Sequence, residues 1–155
     1  MTVCTRNQIC SLGNIRDGVV HLSPIGQIVA EEWQRTAHVR QGVELDQWVV
    51  MPNHLHGIVV MTNLPAQGDS EDTSPAAPRP GRGLQPRSLS SIVGQFKSVC
   101  TKRARALGFA EFGWQTRFYD HIIRSEASLG KIRQYIIDNP VKWDPERGRI
   151  ANLSM

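Results

Sequence analysis

The stretch Val43-Glu-Leu-Asp-Gln-Trp-Val-Val-Met-Pro-Asn-His-Leu-His-Gly-Ile-Val-Val-Met-Thr62 decides the fold. Two β-branched, apolar runs flank the turn pair Pro52-Asn53, which predicts strands over residues 43–51 and 54–62. Side chains alternate across a strand, so the second run divides into two faces. Leu55, Gly57, Val59 and Met61 point one way, and His54, His56, Ile58 and Val60 point the other. Both faces are largely apolar beyond the histidines, so both need a cover.

Working outward, Ser23-Pro24 is a helix start, with serine as N-cap and proline at the first helical position. Ile25, Ile28, Val29 and Trp33 follow at helical spacing and predict an amphipathic helix over residues 24–37. Leu89, Ile92, Val93, Phe96, Val99, Cys100 and Leu107 mark a second helix over residues 89–107. Residues 118–124 make a plausible last strand, and Ser125 caps a final helix striped by Leu129, Ile132 and Ile136 and ended by Pro140. Residues 2–5 form a β-branched scrap: a short edge strand, or a strand lacking residues that would lengthen it.

The first six elements match a ferredoxin-like βαββαβ unit, an α+β fold with an antiparallel sheet and two helices on one face. The seventh, the C-terminal helix, is left over, and the histidine face is the one it is available to cover. Residues 64–87 carry five prolines, three glycines and few large apolar groups. Such a composition buries too little surface to offset the entropy of ordering it, which predicts a flexible loop inside a single 155-residue domain.

No run approaches the roughly 18 apolar residues of a membrane span, and no signal peptide is visible, so a cytoplasmic protein is expected. Cys4, Cys10 and Cys100 are odd in number and lack metal-type spacing, as for reduced, partly buried thiols. Net charge is +4, and its distribution says more than its total. Arg79, Arg82, Arg87, Lys97, Lys102, Arg103 and Arg105 fall in a stretch without one acidic residue. That pattern suits a polyanion, whose condensed counterions are released on neutralisation, though a solvated helix face would look the same.

His54 and His56 lie two apart on a strand, so both imidazoles can ligate one divalent ion or can equally be hydrogen-bonded structural groups. Tyr135 and Asn139, four apart, stack on one side of the last helix. Each has an ordinary alternative, core-edge packing for the tyrosine and helix termination before Pro140 for the asparagine. If that helix covers the histidines, a phenol and a carboxamide oxygen meet the same ion. A Lewis-acidic metal on a phosphodiester, with a tyrosine to attack phosphorus, is a site for cutting and rejoining DNA without ATP.

Trp48-Val-Val-Met-Pro-Asn-His-Leu-His-Gly57 resembles the histidine–hydrophobic–histidine (HUH) signature of single-tyrosine transposases of bacterial insertion sequences. Trp114-Gln-Thr-Arg-Phe-Tyr-Asp-His-Ile-Ile-Arg124 and Ile132-Arg-Gln-Tyr-Ile-Ile-Asp-Asn-Pro-Val-Lys142 resemble further blocks of the REP-associated tyrosine transposases. The resemblance implies metal ligands at His54, His56 and Asn139 and a nucleophile at Tyr135. It also implies Mg2+ or Mn2+ as cofactor, and a nucleoid-associated protein acting on single-stranded DNA at palindromic repeat hairpins. Arg87, Lys97, Lys102, Arg103 and Arg105 are the expected DNA contacts, as monomer or homodimer, with His121 a candidate lining of the site and Tyr119 structural. Two other readings remain: a hairpin-binding protein without cleavage, and a zinc hydrolase using His54, His56 and a third ligand such as His121.

Overall fold

A computed structural model describes residues 1–62 and 88–144; the loop predicted over 64–87, with Arg87, lies outside the described residues. The elements are β1 (Thr2–Cys4), β2 (Gly13–Arg16), β3 (Val19–Leu22), α1 (Pro24–Val39), β4 (Val43–Met51), β5 (His54–Met61), α2 (Leu89–Ala106) and α3 (Glu126–Asp138). The fold is α+β, with antiparallel sheets and three helices among the described residues. β5 is the centre of a sheet ordered β1-β5-β4, and β2 and β3 form a separate hairpin.

α1 and α3 begin where Ser23 and Ser125 predict, and Ser88 caps α2 in the same way. Ser23, Ser88 and Ser125 accept from the backbone N–H three residues on, satisfying one of the donors a helix start leaves free. α1 and α2 bury Trp33, Phe96 and Cys100 in one core with Val50 and Leu55 of the sheet. Trp33 meets Phe96 edge to face, with ring centroids 5.3 Å apart. Gly57 makes this possible: a Cβ there would stand 2.6 Å from Trp33 Cζ2, so the glycine lets the indole lie against the central strand.

Two expectations are corrected. The β2–β3 hairpin was not foreseen. It turns at Asp17-Gly18, both at positive φ (51° and 72°), as a two-residue hairpin turn requires. Residues 118–124 do not form a strand. Only isolated antiparallel bridges, Thr5 with Trp114 and Thr2 with Tyr119, run beside β1, and the register slips between them. Lys97 Nζ, from α2, donates to the carbonyls of Gln115 (2.6 Å), Thr116 (3.4 Å) and Arg117 (3.1 Å), which takes these acceptors from a ladder. The described sheet thus lacks the regular fourth strand that the expected ferredoxin-like arrangement requires.

Cys4 and Cys100 are buried and Cys10 is exposed. Among the described residues no helix is long and apolar enough to cross a membrane.

Gly57→Ala is expected to lower stability by about 1–3 kcal/mol through overpacking against Trp33, read as a fall in the urea midpoint. An unchanged midpoint would show that the indole yields freely.

Candidate active site

β5 pairs with β1 and β4 so that Thr2 and Val49 oppose His56, and Cys4 and Met51 oppose His54. Directly opposed residues share a sheet face, which puts these side chains opposite the α1/α2 core. His54 and His56 are each only 2% exposed, and their Nε2 atoms stand 3.0 Å apart.

The far side of each ring is held. His54 Nδ1 lies 2.6 Å from Asn53 Oδ1, a pure acceptor, so Nδ1 carries the proton and Nε2 presents a lone pair. The Asn53 amide is itself oriented, because its Nδ2 donates to the Gln8 carbonyl at 3.2 Å. Gln8 and Asn7 adopt positive φ (55° and 54°), a conformation that costs free energy in residues other than glycine and is spent here on aiming that carbonyl. His56 Nδ1 lies 2.7 Å from Thr2 Oγ1, a hydroxyl able to donate or accept. Without a metal the chain closes with Thr2 O–H donating to His56 Nδ1 and His56 Nε2–H donating to His54 Nε2. With a metal, one rotation of the Thr2 hydroxyl lets His56 carry its proton on Nδ1, and both Nε2 lone pairs become free.

This arrangement fits a divalent ion. Two nitrogens bound at about 2.1 Å and at right angles are about 3.0 Å apart, which matches the separation of the pair. Oriented imidazoles with hydrogen-bonded far nitrogens are the usual form of histidine ligands. Among the described residues no cluster of three or more His, Cys, Asp or Glu is placed to hold a metal. Burial pushes the neighbouring Cys4 thiol up to about 11, so it is protonated at pH 7 in the metal-free protein. Among the described residues, the further donors near the pair include the Asn139 carboxamide, an oxygen donor of the kind Mg2+ and Mn2+ prefer. His121 is exposed and, among the described residues, joins no such cluster with His54 and His56.

α3 covers the histidine face. The Tyr135 ring lies 5.4 Å from His56, centroid to centroid, at 68° between planes. Trp143, beyond the helix, approaches His54 at 6.0 Å. Asn139 is the half-buried C-cap one turn after Tyr135. The cover is light: Ile136 is the one buried residue described in α3. Arg133 grips Asp46 of β4 with Nε at 2.9 Å from Oδ1 and a terminal nitrogen at 2.5 Å from Oδ2, and this contact holds the Asp46 carboxyl below its usual range. The two imidazoles thus lie buried beneath Tyr135 and Trp143.

The structure divides the basic residues expected to contact DNA. Arg103 is bound by Glu31 and Glu32, each at 2.7 Å, and Lys97 by the three carbonyls already described. In this structure both cations are engaged by protein partners. Lys102 and Arg105 are exposed. Sequence reasoning missed Thr2, Asn53 and Trp143. Asn53 carried a signal, since it directly precedes the first histidine in the turn; Thr2 and Trp143 reach the site only through the fold.

No family model matches the chain. An uncharacterized protein of Haemophilus influenzae is 33% identical over 154 residues, covering 95% of this chain and 82% of that protein. Among solved structures, a REP-associated tyrosine transposase bound to a REP hairpin is similar with a TM-score of 0.59 and 25% identity. That match covers 91% of this chain, which spans only 64% of the transposase chain. The chain is thus an α+β protein similar in fold, and at 25% identity in sequence, to a REP-associated tyrosine transposase.

Burial lowers His54 from 6.5 to about 4. It lowers His56 to about 2, with the charges of His54 and the N-terminus adding to desolvation. Both are neutral at pH 7, the form a metal ligand needs. The unfolded chain binds protons below pH 6.5 that the folded histidines refuse, so stability is complete above that pH and declines towards pH 4. His54 alone should account for about 3 kcal/mol of that loss in the metal-free protein. Urea midpoints across this window should fall more steeply for the wild type than for a His54→Gln/His56→Gln double variant. Equal slopes would contradict a buried neutral pair.

Proposed function

We propose that the chain is a metal-dependent single-stranded DNA endonuclease and strand transferase acting at palindromic repeat hairpins, with Tyr135 as nucleophile. One observation carries this reading: two oriented imidazoles meet at 3.0 Å beneath the tyrosine ring of the same chain. The structural relative's hold on a REP hairpin supports DNA of that shape as substrate.

In this reading His54 and His56 hold Mg2+ or Mn2+, with the Asn139 carboxamide as third protein ligand. The ion, when bound, withdraws charge from a non-bridging oxygen of the scissile phosphate. Asn53 and Thr2 keep the imidazoles facing the ion. The Tyr135 oxygen attacks phosphorus, its proton passing to solvent, and forms a bond to phosphorus as the bond to the 3′ oxygen breaks. The leaving 3′ oxygen takes up a proton, and the 5′ phosphate stays on the tyrosine as a 5′-phosphotyrosine. A DNA 3′ hydroxyl reverses the step and releases the enzyme, with no external energy source.

A labelled hairpin with a single-stranded flank, incubated with Mn2+, should give a covalent adduct on a denaturing gel. Tyr135→Phe should bind the hairpin and give no adduct. A wild-type protein that shifts the hairpin but never forms an adduct, with either metal, would leave only DNA binding.

Asn53→Ala should weaken Mn2+ binding by about 10- to 100-fold in calorimetry, the usual effect of losing the group behind a ligating histidine. Affinity equal to the wild type would mean that the His54 ring is held by packing alone.

A further inference from the structure

A cleft of about 600 Å3 lies between α2, the turn after β1 and the segment that runs beside β1. Its wall includes Arg6, Ser98, Thr101, Lys102 and Arg105, together with Lys97, whose ammonium is held by backbone carbonyls, and no acidic residue. Arg6 crosses over Gly113, where a Cβ would stand 2.5 Å from the guanidinium, so the glycine admits the side chain. Among the described residues no carboxylate pairs with Arg6, Lys102 or Arg105. Arg103, on the same helix, has its charge matched by Glu31 and Glu32. Positive charge on this side is therefore concentrated in one concavity rather than spread around α2.

We infer that this cleft binds the sugar-phosphate backbone of nucleic acid at a site separate from the histidine pair. Three cations facing an open, polar concavity with hydroxyls at hand are suited to phosphate oxygens, which need charge and donors but no shape-specific pocket. α2 packs on the sheet face opposite the histidines, so the cleft and the chemical site grip different parts of one substrate. Phosphate contacts set position and register and leave the reacting strand to the other face. The inference rests on the DNA reading above and deepens it by naming where the duplex backbone is held; Arg6, absent from the expected contacts, is part of it.

The test is fluorescence anisotropy of a labelled palindromic DNA hairpin over a salt series, without divalent metal. Arg6→Ala, Lys102→Ala and Arg105→Ala should each lower the slope of log Kd against log salt by about one and weaken binding regardless of sequence. Arg103→Ala should leave the slope at the wild-type value. All four side chains are at or near the surface, and melting curves confirm that each variant is folded. If hairpin binding by the wild type is intact and the three cleft variants keep its slope, the inference is overturned while the DNA reading stands. A wild-type protein with no hairpin affinity overturns both.

Discussion

The register of β1 against β5 is the constraint on which the site depends. Pairing Thr2 with His56 and Cys4 with His54 places a hydroxyl behind one imidazole, while the turn into β5 places a carboxamide behind the other. A slip of one residue would send the histidines into the Trp33 core and bring Leu55 out. Gly57 guards against that slip, because it is the position at which Trp33 lies against the strand. Packing on one face thus fixes the chemistry available on the other.

The two faces differ in how firmly they are covered. α1 and α2 bury a continuous core around Trp33 and Phe96, whereas α3 contributes Ile136 and a surface ion pair from Arg133 to Asp46. Elements with few buried contacts open at lower cost than the body they rest on. Oriented imidazoles on a rigid floor thus lie under a lightly held tyrosine helix, as the proposed cleavage of a DNA strand would use. The ion pair is partly exposed, so its attraction weakens as ionic strength rises.

Much of this was legible in the sequence because it rested on local rules. Serine caps and apolar spacing located the helices, Pro52-Asn53 located the turn, and strand alternation placed His54 and His56 on one face with α3 as its cover. The hairpin at Asp17-Gly18 was also legible, since that dipeptide between alternating residues is a strong turn signal, but it went unread. The missing fourth strand was not legible. A lysine eighteen residues upstream takes the carbonyls a strand would use. The same limit applies to Arg103 and to Thr2: which cations are already paired, and which hydroxyl backs a histidine, are decided by contacts between distant segments.

Electron spin-echo spectroscopy of the Mn2+-loaded protein tests the central claim most directly, since it counts nitrogens bound to the ion. Two directly coordinated imidazole nitrogens are predicted, falling to one in either His54→Gln or His56→Gln. A spectrum like that of hydrated Mn2+, with no nitrogen coupling, would contradict the account.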